Sequence, residues 1–539
     1  MTKTEGHRAR AATAGSLPSE VWQWEATDIA AQVRAGAISS VEVTQAFYGR
    51  IDAANPALNA VVQADRERAF EAARAADALR ARAPQAMGPL HGVPVSVKLN
   101  VDVAGEATTN GVPAFVDRIA PEDSAVVANL RRAGAVIMGR TNVPPFSFRW
   151  FTENPLHGRT LNPWRADITS GGSSGGAAVA VAAGMCALSH GTDIAGSIRY
   201  PAYVNGVAGL RPTPGRVPAW HPTVGARFLG VQLFSAQGPL ARRVADVEPG
   251  LRAMAPDGGR DPTWINMPLD FPDDGVPVRV ALVDEVPGTR LAPEVHAALS
   301  QAARALEAAG YRVERATPPG MDEAVEIWLA VVMNEVRIGM LPAVEAMQDP
   351  CILDSVRSMA ACAAAQDLHT YATAIARRDV LRSEWGEFLS RYPLLLMPSS
   401  CRPPMPWGED LQGPEKMRQL LADQGPLIAV AALSLPGLSV PTGVHAGLPT
   451  GVQLVAGSFR EMRLLEAGRI IERDAQMPAV WRRPVDLGAA QVEQAQHSAH
   501  AIDPGREVER HAWGNCRAFS PFASGSSHDR VGSPAGEKP

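Results

Sequence analysis

Apolar residues recur at helical spacing early in the chain. Ile29, Val33, Val41, Val43 and Phe47 follow roughly one helix face, and residues 65–82 continue with alanine and arginine. Helices are therefore expected over about 25–83. The period then changes. Residues 94–101 are short, apolar and β-branched and read as a strand, 124–133 as a helix and 135–139 as a buried strand. Residues 278–283 and 311–316 read as strands separated by a helix at 293–309, and 394–397 and 438–440 as further buried strands. A helix at 464–473 closes the series. This alternation predicts an α/β fold: a large mixed, mostly parallel twisted sheet with helices on both faces.

The segments between are polar or punctuated. Residues 151–176 are loop-rich, 177–184 form a helix of small residues able to pack closely, and 255–275, rich in Pro, Gly and Asp, read as a surface excursion. Residues 321–390 are mainly helical and are expected as a cap-like part. The expected organisation is a flexible leader at 1–24, one catalytic domain at 25–485 and a disordered tail at 486–539, where Gln, His, Ser, Gly and Pro dominate. No internal repeat is evident.

Composition narrows the function. The 539 residues are 46% hydrophobic and 20% charged with a net charge of −5, and the basic residues are dispersed, which argues against a nucleic-acid surface. The five cysteines (Cys186, Cys351, Cys362, Cys401, Cys516) show no metal-ligand spacing. The polar first 17 residues lack the apolar core of a secretory signal, and the small-residue run 177–188 is too short to span a bilayer. A cytoplasmic protein without membrane attachment is expected.

One residue changes the picture. The chain has 47 arginines and only four lysines: Lys3, Lys98, Lys416 and Lys538. Arginine keeps its proton in proteins, whereas a desolvated lysine loses it, so a site needing a neutral amine cannot accept arginine. Lys98 ends the predicted strand, and downstream lie two serine-bearing glycine loops, Gly171-Gly172-Ser173-Ser174-Gly175-Gly176 and Gly191-Thr192-Asp193-Ile194-Ala195-Gly196-Ser197. A serine hydroxyl needs a base to become a nucleophile. The second loop can aim consecutive amides at one point, as an oxyanion hole does. Asp193 can anchor that loop and pair with Arg199.

Other motifs fit less well. A G-x-S-x-G nucleophile elbow requires a hydrophobic strand before it, and residues 165–170 are polar. A phosphate-binding loop requires Lys-Ser/Thr after its last glycine, where this chain has Ala177 and Ala178. Ser96 precedes Lys98 by two residues, which does not make Ser-x-x-Lys.

Taken together, Lys98 and the two loops resemble the amidase signature family, over about residues 25–485. The resemblance implies a Ser-cis-Ser-Lys triad: Ser197 as acyl nucleophile, Ser173 in a cis peptide with Gly172 as proton relay, Lys98 as neutral base. It also implies an oxyanion hole from the N–H groups of Ile194, Ala195, Gly196 and Ser197. Leu99, Arg140, Pro145 and Ala195 depart from residues frequent in that family, and none of them is a triad member. The implied activity is hydrolysis of the C–N bond of a small apolar or aromatic amide or carbamate, with no cofactor or metal. The alternative is a glutaminase-type subunit of a tRNA-dependent amidotransferase complex. Phe148, Trp150, Phe151 and Tyr203 are the expected pocket residues, and a homodimer is the expected assembly.

Overall fold

The computed structural model describes residues 17–271, 278–475 and 477. The expected tail at 486–539 and most of the leader lie outside them. The described end of the leader carries a single turn at Val21–Gln23, and Trp22 lies against Gly184, where an added Cβ would come within 2.7 Å of the indole.

The strands are β1 (Val61–Gln63), β2 (Pro94–Lys98), β3 (Val136–Thr141), β4 (Glu153–Asn154), β5 (Gly158–Arg159), β6 (Leu188–Asp193), β7 (Ala208–Arg211), β8 (Ala236–Ala241), β9 (Arg279–Leu282), β10 (Arg312–Arg315), β11 (Leu394–Pro398), β12 (Gly437–His445) and β13 (Leu448–Ala456). Eleven of them form one sheet in the order β1-β3-β2-β6-β8-β7-β12-β13-β11-β9-β10, while β4 and β5 pair alone. Every residue of β2, β3, β7, β8 and β11 is buried. Successive side chains point to opposite sides, so both faces of these strands are covered.

The sheet is mixed, as expected, but it is not mostly parallel. Parallel pairing is confined to β2 with β3 and β6, and to β9 with β10 and β11. The middle, β6-β8-β7-β12-β13-β11, is antiparallel throughout. One cause is local: β12 and β13 are joined by the two-residue turn Ala446-Gly447, both at positive φ (48° and 79°), which closes a hairpin where a parallel pair would need a long crossover.

The expected helices at 124–133, 293–309 and 464–473 appear as Ala125–Arg132, Pro293–Ala308 and Glu461–Asp474. Residues 321–390 are helical as Met321–Glu335, a π-helical turn at Val336–Met340, Leu341–Met347, Pro350–Ala360 and Leu368–Arg391. The stretch Met321–Met347 is long and apolar enough to cross a membrane, yet most of its apolar window is buried inside the fold.

Candidate active site

Strands β2 and β6 run side by side in parallel, and their carboxyl ends bring Lys98 next to Thr192 and Asp193. Such an end of a parallel pair is a common place for a site in an α/β sheet. Lys98 Nζ lies 2.8 Å from Ser173 Oγ and 2.7 Å from Thr192 Oγ1. It is fully buried, and loss of hydration pushes its pKa well below the usual lysine value, against the pull of the Asp193 carboxylate. Arg140 braces the chain beyond Lys98. Also fully buried, it donates to the carbonyls of Ala107 (3.0 Å) and Leu99 (3.0 Å) and to that of Val101.

Ser173 follows a cis peptide bond from Gly172. The glycines around it are required by space. A Cβ on Gly172 would come within 2.3 Å of the Arg149 carbonyl, and one on Gly176 within 2.4 Å of the Asn142 nitrogen. Arg149 itself is locked by a buried two-pronged pair with Asp410, at 2.7 and 3.0 Å. The two serine loops are tied together: the Ser174 N–H donates to the Ser197 carbonyl (3.2 Å), and the Ser174 hydroxyl to that of Thr192 (3.2 Å). The small-residue helix Gly175–Ala182 follows, with every residue buried.

The second loop is organised by Asp193. Its carboxylate accepts from the N–H groups of Gly196 (2.8 Å) and Ile198 (3.1 Å) and pairs with the Arg199 guanidinium through Nε and Nη2, both at 2.9 Å. Arg211 lies 3.5 Å from the same carboxylate. Burial favours the neutral acid here. The two guanidiniums and the Gly196 N–H outweigh it and hold Asp193 below the usual carboxylate range.

The Gly196 amide is therefore occupied, which corrects the expected set of oxyanion donors. Among the described residues no acceptor is found for the N–H groups of Ile194, Ala195 and Ser197. These three remain free to meet an incoming oxygen.

Ser173 and Ser197 open onto a cavity of about 940 Å³. Its apolar wall includes Phe115, Phe146, Phe148, Phe228, Val332 and Met340. Phe146 and Ser147 both sit at positive φ (55° and 57°), a strained conformation pinned by Asn110, which accepts from the Phe146 N–H and the Ser147 hydroxyl. That turn presents Phe146 and Phe148 to the cavity.

Of the expected pocket residues, Phe148 lines the main cavity, and Trp150 lines a small hollow of about 30 Å³ beside Ser197. Phe151 and Tyr203 do not reach the cavity. Phe151 is fully buried, edge-on to Trp407, and the Tyr203 hydroxyl donates to the Arg402 carbonyl at 3.0 Å. Both aromatics are core residues, held by partners in the distant segment 401–408 that proximity in sequence does not reveal.

Sequence reasoning missed Thr192, His221, Gln237 and Glu335. Gln237 faces Thr192 across the β6–β8 pair, and its amide joins His190 (2.8 Å) to His221 (3.3 Å). Glu335 accepts from the Gly230 N–H (2.6 Å) and the Tyr371 hydroxyl (3.0 Å), and burial raises its pKa. Only Thr192, inside the loop already singled out, carried a signal in the sequence.

A buried lysine bonded to a serine of one glycine loop, beside a second serine under free amides, is the arrangement of a hydrolase that works through an activated serine. The family model described as Amidase matches residues 42–465, and the chain belongs to that family, the amidase signature enzymes. The indoleacetamide hydrolase of Bradyrhizobium diazoefficiens is 44% identical over 457 residues, covering 84% of this chain and 87% of that protein. A glutamyl-tRNA(Gln) amidotransferase subunit from a Synechococcus species is 31% identical over 481 residues, covering 83% and 95%. Among solved structures, a bacterial aryl acylamidase of the amidase signature family has a TM-score of 0.76 at 25% identity, covering 86% of this chain and all of the other.

Proposed function

We propose that this enzyme hydrolyses the primary amide of an arylacetic acid, of about the size of indoleacetamide, through an acyl-enzyme on Ser197. The observation that carries the reading is the Lys98–Ser173 hydrogen bond at the base of a cavity walled by Phe115, Phe146, Phe148 and Phe228. A pocket of about 300–1,000 Å³ with apolar walls and few polar groups suits a small organic ligand. The 44% identity to an indoleacetamide hydrolase supports an aromatic acyl group, and nothing comparable supports a carbamate.

Neutral Lys98 takes the proton of Ser173, which takes that of Ser197 as its Oγ attacks the amide carbonyl. The N–H groups of Ile194, Ala195 and Ser197 receive the oxyanion. Collapse breaks the C–N bond, and the proton returns through Ser173 to the departing nitrogen, releasing ammonia. Water then adds to the ester by the same relay and frees the acid. Burial lowers the pKa of Lys98 and so favours the neutral amine that serves as the base.

The test is ammonia release from indole-3-acetamide, phenylacetamide, aliphatic amides, anilides and glutamine, with parent and Ser197→Ala run in parallel. Turnover of the arylacetamides by the parent alone is expected. Preference for a short aliphatic amide would remove the aromatic assignment, and equal activity of Ser197→Ala would remove the nucleophile. The likeness to the Synechococcus protein supports a second reading, a glutaminase-type subunit. Glutamine turnover that exceeds all other substrates, and only with added partner subunits, would favour it.

A further inference from the structure

Three successive carbonyls at the nucleophile loop are each tied from behind. The Asp193 carbonyl accepts from Arg211, that of Ile194 from the Trp328 indole N–H (2.9 Å), and that of Ala195 from the Trp150 indole N–H (3.1 Å). In a trans peptide the C=O and the following N–H point in opposite directions. Each tether therefore sets the aim of the next residue's amide. Arg211 turns the Ile194 N–H, Trp328 the Ala195 N–H, and Trp150 the Gly196 N–H, which Asp193 then takes.

The Ile194–Ala195 unit is held through its carbonyl alone. Its N–H has no acceptor among the described residues, and its carbonyl bond to Trp328 is the tether that fixes it. Trp328 does not belong to the serine loops. It sits, 2% exposed, on the helix Met321–Glu335, more than a hundred residues downstream. The same helix supplies Val332 and Glu335 to the lining of the main cavity, and Trp328 borders the small hollow with Ile194, Ala195 and Ser197.

We infer that Trp328 is a positioning residue of the oxyanion hole: its indole N–H holds the Ile194 carbonyl so that the Ala195 amide is aimed at the oxygen of the reacting carbonyl. The helix against which the substrate packs thereby also sets the aim of a donor to the transition state. A core tryptophan serving only as bulk would tolerate loss of its N–H. A positioning one would lose rate while keeping substrate affinity.

This inference rests on Ser197 being the acylated residue, and the experiment separates the two. An alkyl fluorophosphonate forms an Oγ–P bond with an activated serine as the P–F bond breaks. Fluoride departs, and the serine proton passes through Ser173 to Lys98. Its developing P–O charge needs the same amides, whatever amide the enzyme prefers. Labelling of the parent and not of Ser197→Ala establishes the nucleophile, and labelling of both would sink the acyl-enzyme reading alone.

Trp328→Phe is then compared with Trp385→Phe. Trp385 lies in the helical part beyond residue 320 and donates its N–H to the Pro319 carbonyl, away from the loop. Trp328→Phe is expected to slow both phosphonylation and kcat about 10-fold or more, with KM changed less than about 3-fold, because a misaimed donor loses part of the 10²–10³ that one donor supplies. Trp328→His, which retains an N–H, is expected to recover part of the rate. A loss no greater than that of Trp385→Phe, or one confined to KM, overturns the inference. If the melting temperature shows that Trp328→Phe does not fold, Trp328→His and Trp328→Tyr carry the comparison by the same criteria.

Discussion

Lys98 Nζ reaches Ser173 Oγ at 2.8 Å from a position without exposure to water. Two demands meet there: the amine must touch the relay serine, and it must be neutral. Arginine satisfies neither the proton transfer nor the geometry of a single nitrogen. Lys98→Arg is expected to lower kcat/KM about 100-fold or more, the usual worth of a general base. The neutral amine is the active form, so rate should rise with pH through the folded pKa. Desolvation places that limb well below the ordinary lysine value of 10.5. A pH profile of kcat/KM whose limb lies at 10 or above would rule out a desolvated base.

Thr192 Oγ1 is the second group at the amine, 2.7 Å away, and it also accepts from the Asn100 amide at 3.2 Å. An acceptor favours the charged ammonium over the neutral amine. Thr192→Val removes it at nearly constant volume, so the rising limb should move to lower pH while the plateau rate falls. A limb displaced to higher pH would mean that Thr192 acts otherwise.

Asp193 holds two buried guanidiniums and the backbone amides of Gly196, Ile198 and Arg199. Asp193→Asn leaves Arg199 and Arg211 without their counter-charge, and breaking one side of a buried pair costs about 3–5 kcal/mol. Urea denaturation should show that loss. The carboxyl's folded pKa lies below its unfolded value of about 3.9. Its stabilisation is therefore complete above the unfolded value and disappears as pH falls through the folded one. The parent's excess stability over Asp193→Asn should accordingly be level from neutral pH down to about 5 and shrink below that.

Phe148 and Phe151 are three positions apart and face different surroundings. The first lines the cavity and the second is fully buried against Trp407. Phe148→Ala should raise KM for an arylacetamide several-fold more than for acetamide and leave the melting temperature nearly unchanged. Phe151→Ala should cost about 3–5 kcal/mol of stability with KM preserved. Reversal of the two patterns in kinetics and thermal melts would show that the pocket wall is misassigned.

Strands made of contiguous β-branched and aliphatic residues were legible in the sequence, because burial on both faces leaves an apolar run. Strand β6 was not. Its Ser189 and His190 are polar yet buried and its Thr192 is half-buried, and they bond respectively to Ser96 (2.7 Å), Gln237 (2.8 Å) and Lys98 (2.7 Å). A reader of sequence sees a loop from Gly191 onward, where the fold continues a strand to Asp193. Lys98 and the two serine loops were readable because glycine spacing and a rare lysine mark them. The far wall of the pocket was not, since His221 and Phe228 come from the irregular loop after β7 and Glu335 from the end of the helix Met321–Glu335. Which amides are left without an acceptor was equally hidden, because it depends on the partners of the whole loop.

The nucleophile loop also has a consequence in time. Arg199, which pairs with Asp193, donates to the Leu427 carbonyl (2.9 Å) and to the Gln453 side chain (2.5 Å), and Arg211 donates to the Leu435 carbonyl (3.3 Å). The ribosome delivers Lys98, Ser173 and Ser197 long before those supports exist. Strand β13, which carries Gln453, lies more than two hundred residues after Ser197. A chain ending before β13 would keep Lys98, Ser173 and Ser197 and lack the bond from Gln453 that steadies Arg199 against Asp193.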